Sequence, residues 1–488
     1  MSIRAFCIHG HFYQPPREDP LTGEIPIEPG AMPYRNWNER IHDQCYKPNA
    51  ELGNFGRISF NLGPTLIQWM FKFDRPTLAK IIQQDHDNLQ HYGVGNAMAQ
   101  PYNHTILPLS PHHDKVTQVR WGIQNFEHFF GRRPLGMWLP ETAVDYETLE
   151  VLADCGIEYT ILAPWQAHTK KLDVTQPYRV PIKNGKSISV FFYNQELSMR
   201  VSFDPGATVN GDLFLHEYIL PQFNSDRSKL ESGQFITIAS DGELYGHHQP
   251  YRDKFLAYLL DGALRFSEVT TCFPGLWLRL HPPQKKIAIR PNTSWSCHHG
   301  IKRWYTVCGC ASDGDWKNPL RQALNRLAEL IDKQYLAALT PYLSDPWELR
   351  HGYSGVVDGY VDPEEYIRSV IQEHLNKEQI QKIRLLLAAQ YERQRMFTSC
   401  GWFFDEFDRI EPRNNVAYAA QAVWLTYLAS GKDLSQQALQ WLRRVKSTRT
   451  GLRASDVFMR HLQRARDSLK PVRETSHPAI ADSNLFSW

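Results

Sequence analysis

Short apolar runs alternate with helix-like segments over residues 1–310 of this 488-residue chain. The predicted strands are residues 3–8, 58–61, 93–98, 135–139, 157–163, 187–193 and 235–239. Residues 64–73 have the pattern of a helix, and Gly156 stands where it would close another helix as its C-terminal cap. Alternation of this kind predicts an α/β fold with a mainly parallel sheet.

Polar side chains follow several of these apolar runs directly. His9 and His11 follow the first run, Glu141 comes after Trp138-Leu139-Pro140, and Asp241 comes after residues 235–239. Because such residues recur at the same end of the runs, the pattern favours a barrel of parallel strands over an open sheet.

The pattern changes near residue 316, where helical periodicity replaces the strand-like runs. Two apolar stripes have helical spacing, and their members are Leu320, Leu324, Leu327, Ile331, Ile380, Ile383, Leu387 and Tyr391. Asp362-Pro363-Glu364-Glu365 has the order of an N-cap followed by a first helical turn. We therefore predict two domains, an α/β domain over residues 1–315 and an α-helical domain over residues 316–488.

Composition restricts the expected binding partners and the expected cellular compartment of the protein. The net charge is only +2 and no long basic block occurs, so nucleic acid is not an expected partner. No window of about 18 apolar residues predicts a membrane span, and the N-terminal segment lacks the apolar core of a signal peptide. The eight cysteines are sparse and irregular. We expect a cytoplasmic protein in a reducing compartment, and the sequence does not predict its oligomeric state.

Glu141 and Asp241 are the candidate catalytic groups. Acidic residues after strands often serve only as helix caps, and Asp145 is placed as such a cap for the segment that follows. Two strand-end acids among Trp, Tyr and His are less typical of capping. A carboxylate pair facing one pocket is the equipment of glycosidic bond cleavage, and aromatic rings offer flat apolar faces to sugars.

Two segments are candidates for metal binding. His9 and His11 form a His-x-His pair after a strand, for which His104 or Asp241 could supply a third ligand. Residues 297–299, Cys-His-His, and residues 308–310, Cys-Gly-Cys, form a second candidate, but their spacing matches no standard zinc module and buried free cysteines are the commoner outcome. HExxH, CxxC, GxSxG, P-loop and GxGxxG elements are absent from the sequence. We therefore expect no metal and no cofactor at the catalytic centre.

Several ordered blocks resemble glycoside hydrolase family 57. They are HGHFYQPP, GNAMAQPYNHTILPL, GMWLPETAVDYETLEVLADCGIEYTILAP, SDGELYGHH and the region of Trp295. The resemblance covers residues 1–310, and SWSCHHGIKRWYTVCGC and MFTSCGWFFDEFDRIE resemble an uncharacterised helical region found beside this family domain in one bacterial subgroup.

The resemblance implies an incomplete (β/α)7 barrel followed by an α-helical domain, and a retaining mechanism. Glu141 matches the nucleophile and Asp241 the general acid/base. The positions that match or accompany the substrate site are His9, His11, Tyr13, Gln14, His104, Trp138, Glu243 and Trp295. The implied substrate is an α-glucan or oligosaccharide.

One departure from the family pattern keeps alternatives open. The first block of the family usually has the form His-x-His-Gln-Pro, and here Tyr13 replaces its second His. A hydroxyl can hydrogen-bond a sugar, but it cannot carry the charge of an imidazole. Hydrolysis, glucan transfer and branching all remain open, as do a catalytically inert glucan-binding protein and a metal-dependent deacetylase or mannosidase-like barrel using His9, His11 and Asp241.

Overall fold

The computed structural model describes residues 3–223, 233–310 and 313–468. Within it the chain folds into two compact units. The first unit comprises Met1–Gln14, Ile27–Tyr102 and Phe126–Ser296, and the second comprises Pro15–Pro26, Asn103–Asn125 and Cys297–Trp488. The predicted helical domain extends to residue 488, and its last part, residues 469–488, lies outside the described residues.

The first unit is built on mainly parallel strands. In chain order they are β1 (Arg4–Phe12), β2 (Ser59–Leu62), β3 (Ala97–Met98), β4 (Tyr159–Leu162), β5 (Tyr178–Pro181), β6 (Ser187–Phe192), β7 (Gln234–Asp241) and β8 (Thr270–Thr271). One sheet has the order β3-β2-β1-β7, with β8 also paired to β1, and all of these pairs are parallel. A second sheet has the order β4-β6-β5, in which β5 is antiparallel. These pairings confirm the predicted α/β class with a mainly parallel sheet.

Backbone hydrogen bonds continue the strand order beyond the two sheets. Parallel bridges join Ala99 to Met137 and Gly136 to Tyr159, so the predicted strand at 135–139 lies between β3 and β4. At the far end of β6, the N–H of Asn194 donates to the carbonyl of Thr237 in β7 at 2.7 Å.

Helices connect the strands of the first unit. Their bounds are α1 (Trp37–Ile41), α2 (Lys47–Glu51), α3 (Pro64–Phe73), α4 (Arg75–Tyr92), α5 (His112–Phe130), α6 (Tyr146–Asp154), α7 (Gln195–Phe203), α8 (Gly211–Leu213), α9 (Arg252–Tyr258) and α10 (Pro274–Leu280), and the unit boundary falls within α5. The side chain of Asp145 caps α6 by accepting from the N–H of Thr148, and Gly156 follows that helix with a φ of 82°. Both helix-end predictions are therefore confirmed.

The core of the first unit is drawn from alternate positions on the parallel strands. Buried members of one cluster are Ala5, Cys7, Met98, Trp138, Tyr159, Ile161, Phe191, Tyr193, Phe235 and Ala239. Since successive side chains of a strand point to opposite faces, these members share one face of the strands. Strand β1 is buried at nearly every position, as expected for a strand covered on both sides.

Helices account for the second unit. After α5 they are α11 (Lys317–Leu339), α12 (Pro346–His351), α13 (Ser354–Val357), α14 (Pro363–Val370), α15 (Lys377–Arg395), α16 (Cys400–Phe403), α17 (Ile410–Ser430), α18 (Ser435–Leu442) and α19 (Ala454–Asp467). The Leu320–Ile331 stripe is buried on α11, and Asp362 caps α14 as predicted. Among the described residues, no helix combines the length and apolar character needed to cross a bilayer.

Candidate active site

Glu141 lies where the chain leaves the strand at 135–139, and two donors hold one of its carboxylate oxygens. Nε1 of Trp295 donates to Oε2 at 3.0 Å, and Oγ of Ser296 donates to the same oxygen at 2.6 Å. The backbone N–H of Trp295 also donates to the carbonyl of Glu141 at 3.0 Å. Hydrogen bonds to a charged oxygen are short and strong, so this carboxylate is fixed in orientation.

The backbone at Glu141 adopts a conformation that costs energy. Glu141 has φ 57° and the following Thr142 has φ 48°, both in the left-handed region that non-glycine residues rarely enter. Such residues cost about 1–3 kcal/mol each and persist where their surroundings hold them. Gln166 supplies that support, because it accepts from Oγ1 of Thr142 at 2.9 Å and donates to the carbonyl of Thr142 at 2.8 Å.

Asp241 ends β7 and lies opposite His11 in the parallel register of β1. Burial among protein atoms, together with the negative charges of Glu243 and Glu141, raises the pKa of Asp241 to about 8. The residue is nevertheless exposed to solvent at the end of the strand. A pKa in this range leaves most of the carboxyl protonated at neutral pH.

Glu243 is buried and organises the segment after β1. Its Oε1 accepts from the hydroxyl of Tyr46 at 2.6 Å and from the backbone N–H of Tyr13 at 3.1 Å. The hydroxyl of Tyr46 in turn accepts from Nε2 of Gln14 at 2.9 Å. Burial raises the pKa of Glu243 to about 7, against the lowering effect of these hydrogen bonds. Glu243 thus fixes the backbone of Tyr13 and, through Tyr46, the side chain of Gln14.

Two histidines from β1 stack on the tryptophan that precedes Glu141. The rings of His9 and His11 lie 4.7 and 5.3 Å from Trp138, and Trp138 meets Trp295 edge-on at 5.1 Å. Asn61 of β2 links the two imidazoles, since its Oδ1 accepts from His9 at 3.2 Å and its Nδ2 donates to His11 at 3.0 Å. Burial lowers the pKa of His9 to about 3 and that of His11 to about 4. Both rings are therefore neutral and add no positive charge to the site.

The metal set considered from sequence is not assembled here. Among the described residues, His9, His11 and Asp241 do not form a group whose ligand atoms all lie within 4.8 Å of one another. Both nitrogens of His9 are already hydrogen-bonded, to Ser59 and Asn61.

The first unit therefore contains most of the predicted site residues. Those in it are His9, His11, Tyr13, Gln14, Trp138, Glu141, Asp241, Glu243 and Trp295. His104 belongs to the second unit, where its Nδ1 hydrogen-bonds Oγ of Ser399 at 2.6 Å. Sequence reasoning missed the residues that hold the site, which are Tyr46, Asn61, Gln166 and Ser296.

Family models match both parts of the chain. Residues 19–290 match the model described as glycosyl hydrolase family 57, and residues 313–482 match one described as a domain of unknown function (DUF3536).

Curated relatives match over a shorter stretch. An alpha-amylase of Pyrococcus horikoshii is 25% identical over 214 residues, which are 43% of this chain and 31% of the relative. A 4-alpha-glucanotransferase of Thermococcus litoralis is 23% identical over 215 residues, which are 43% of this chain and 30% of the relative. The match therefore spans less than a third of each relative's length.

Solved structures resemble the chain over nearly its whole length. An exo-type maltose-forming amylase from Pyrococcus sp. ST04 has a TM-score of 0.74 at 15% identity, covering 94% of this chain and 88% of the other. A family-57-type branching enzyme from Pyrococcus horikoshii has a TM-score of 0.61 at 15% identity, covering 97% and 96%. At these sequence identities the structural similarity shows a shared fold and nothing about activity. Because the family model itself covers more than half of the residues, the chain belongs to glycosyl hydrolase family 57.

Proposed function

We propose that this protein is a retaining enzyme that acts on α-glucosidic bonds, with Glu141 as nucleophile and Asp241 as general acid/base. The observation that carries the proposal is the difference between the two carboxyls. Glu141 accepts two hydrogen bonds on one oxygen, whereas burial and neighbouring negative charge raise the pKa of Asp241 to about 8. A retaining enzyme needs one carboxyl that stays protonated to act as the acid and one that is ionised to act as the nucleophile, so the two must lie in different environments.

The first chemical step follows from these protonation states. Asp241 gives its proton to the glycosidic oxygen while the Glu141 carboxylate attacks the anomeric carbon. The bond between that carbon and the leaving oxygen breaks, and an ester between the sugar and Glu141 forms. Positive charge develops on the sugar during this step. The neutral imidazoles of His9 and His11 place no opposing charge beside it.

The second step uses the same residues in reverse. Ester formation removes the negative charge of Glu141, which is one of the causes of the raised pKa of Asp241. The pKa of Asp241 therefore falls in the intermediate, and its carboxylate accepts a proton from an incoming hydroxyl. Oxygen of that hydroxyl bonds to the anomeric carbon and the Glu141 carboxylate is released. Water as the acceptor gives hydrolysis, and a sugar hydroxyl gives transfer.

A (β/α)7 barrel is the arrangement that we propose for the first unit. The parallel order β7-β1-β2-β3, the strand at 135–139, and β4-β6 together supply seven parallel segments, and the hydrogen bond from Asn194 to Thr237 joins the last to the first. In such a barrel the carboxyl ends of the strands meet on one face. That face would bear His11, Glu141 and Asp241.

The α-glucan substrate class is supported by the alpha-amylase and 4-alpha-glucanotransferase relatives. In the proposed site, Trp138 and Trp295 supply aromatic surface, while Tyr13, Gln14 and His11 supply polar groups for sugar hydroxyls. The role of His104 in substrate binding remains the prediction that the family resemblance made.

Incubation of the full chain with maltooligosaccharides and amylose, with products resolved by size, tests the proposal. Shorter products indicate hydrolysis, redistribution to shorter and longer chains indicates transfer, and new branch points indicate branching. Glu141→Gln keeps the side-chain volume and should abolish all of these products while substrate binding persists. If the wild-type chain binds glucan but forms no product, the proposed enzymatic activity is contradicted and a catalytically inert glucan-binding protein is favoured.

A further inference from the structure

Four side chains with metal-binding atoms meet in the second unit. They are Cys297, His299, Cys308 and Cys310, and one ligand atom from each lies within 4.8 Å of all the others. Among the described residues, no other group of three or more His, Cys, Asp or Glu side chains meets this condition. The segment 297–310 lies between the two ranges matched by family models, so neither match covers it.

The distances within this group fit tetrahedral coordination. Zinc bonds of about 2.3 Å to sulfur and about 2.05 Å to nitrogen place two sulfurs about 3.8 Å apart and a sulfur and nitrogen about 3.6 Å apart. Sγ of Cys297 lies 3.8 Å from Sγ of Cys310, and Nδ1 of His299 lies 3.3 Å from Sγ of Cys310. One ion could therefore reach these atoms with small side-chain adjustments.

The chain brings its ligands together through two short segments. Cys297 and His299 are separated by one residue, as are Cys308 and Cys310. Between the latter two, Gly309 lies against the imidazole of His299. A Cβ at position 309 would stand 3.2 Å from Cε1 and 3.3 Å from Nε2 of that ring. Glycine thus permits the two thiols and the ring to approach one another, which explains a spacing unlike that of standard zinc modules.

A buried cation next to the group supplies an independent observation. Lys317 is fully buried, and its Nζ has no hydrogen-bond partner among the described residues. Burial lowers the pKa of Lys317 to about 8 and the charge of Arg303 acts in the same direction, while the charges of Cys308, Asp405 and Cys297 act in the opposite direction. A divalent ion bound by three thiolates and a neutral imidazole carries one net negative charge. That negative charge adds to the charge of Asp405 in compensating the buried ammonium of Lys317.

We propose that Cys297, His299, Cys308 and Cys310 bind one structural zinc ion. Thiolate and imidazole ligands in a tetrahedral arrangement suit zinc better than the hard cations magnesium and calcium. Four protein ligands leave no position for water or substrate, so the ion stabilises the fold of residues 297–310 and takes no part in bond cleavage. Spacing alone favoured free cysteines, whereas the geometry of the four side chains favours the metal.

Metal analysis of the full-length protein tests this proposal. Protein from zinc-supplemented medium, purified without chelator, should contain about one zinc ion per chain. His299→Ala should lose most of it, while His299→Cys should retain it because a thiolate replaces the imidazole. His298→Ala and Cys155→Ser are matched controls, since neither residue belongs to the group, and both should keep the wild-type zinc content. Zinc well below one ion per chain in the wild type, or unchanged zinc in His299→Ala, overturns the proposal.

A second measurement holds even if a variant fails to fold. X-ray absorption at the zinc edge of the wild-type protein should fit three sulfurs at about 2.3 Å and one nitrogen at about 2.0–2.1 Å. Cobalt substitution should give the visible bands of a tetrahedral thiolate complex. A ligand shell of nitrogen and oxygen, or a disulfide between Cys297 and Cys310 in freshly purified reduced protein, contradicts a zinc site at these residues.

Discussion

Ser296 donates its hydroxyl proton to Oε2 of Glu141 at 2.6 Å, across 155 positions of sequence. Trp295 donates to the same oxygen, so consecutive residues fix the proposed nucleophile from one side. Because Ser296 can be substituted without removing the Glu141 carboxylate, this contact allows the orientation of Glu141 to be tested apart from its reactivity.

Ser296→Ala should lower kcat/KM while the protein remains folded. A hydrogen bond to a charged group contributes about 1.5–3 kcal/mol, which corresponds to about a 10- to 160-fold loss if the whole contribution acts in the transition state. Steady-state kinetics on a maltooligosaccharide measure the loss, and the melting temperature checks the fold. Ser296→Thr keeps a hydroxyl and should recover much of the rate. Equal rates for Ser296→Ala and the wild type would show that this contact does not orient the nucleophile.

The pH dependence of kcat/KM should show a basic limb set by Asp241. A general acid must be protonated, and the pKa of Asp241 is raised to about 8, so activity is retained below that pH and lost as pH rises through it. An ordinary aspartate would already be ionised near pH 4. Asp241→Asn should remove this limb and lower kcat/KM by about 10²- to 10⁴-fold. A wild-type profile that falls already above pH 5 contradicts the assignment.

Tyr46→Phe should destabilise the protein and disturb substrate binding. The hydroxyl of Tyr46 donates to buried Glu243 and accepts from Gln14, so its removal takes one hydrogen bond from each of these two buried polar groups. The expected loss of unfolding free energy is about 1–3 kcal/mol, measured by denaturant titration.

Tyr34→Phe is the matched control for that variant. Tyr34 also donates to a carboxylate, that of Asp43, but the pair is exposed and should contribute little. A larger loss in Tyr34→Phe than in Tyr46→Phe would contradict the importance of the buried network.

Brief EDTA treatment should leave kcat unchanged. The paired carboxyls generate nucleophile and acid without a metal, and the proposed zinc ion has a closed set of protein ligands. Zinc content should be measured on the same samples, since prolonged extraction would act on stability and lower the melting temperature. Loss of turnover at an unchanged melting temperature, restored by zinc, would instead support a metal-dependent reaction.

The strand-end positions of Glu141 and Asp241 could be predicted from sequence because each residue follows an apolar run directly. Trp138-Leu139-Pro140 precedes Glu141 and residues 235–239 precede Asp241, and parallel pairing places both residues at the same end of their strands. Their catalytic roles stay a prediction. Strand β5 was missed because it is short, ends in proline and pairs antiparallel to β6. The segment Trp-Leu-Pro-Glu-Thr does not predict a left-handed backbone at Glu141, because it contains no glycine, the residue that usually indicates that conformation.

The supporting residues could not be predicted because their contacts are distant in sequence. Tyr46 meets Glu243 across 197 positions, and no periodicity links them. Likewise, Asn61 has no local signal that it would join two histidines of β1. The spacing of the cysteines did not predict a metal site, because Cys-Gly-Cys lacks the usual two-residue gap. Only the fold shows that Gly309 leaves space for the imidazole of His299.

Trapping the covalent intermediate tests the central claim most directly. In Asp241→Asn, an α-maltosyl fluoride can still glycosylate Glu141, because fluoride leaves without a proton, but no base remains to activate the second acceptor. Mass spectrometry of the digested protein should then find a maltosyl adduct on Glu141. The double variant Glu141→Gln/Asp241→Asn should show none. An adduct on any other residue, or no adduct while the fluoride is turned over, would contradict the retaining mechanism through Glu141.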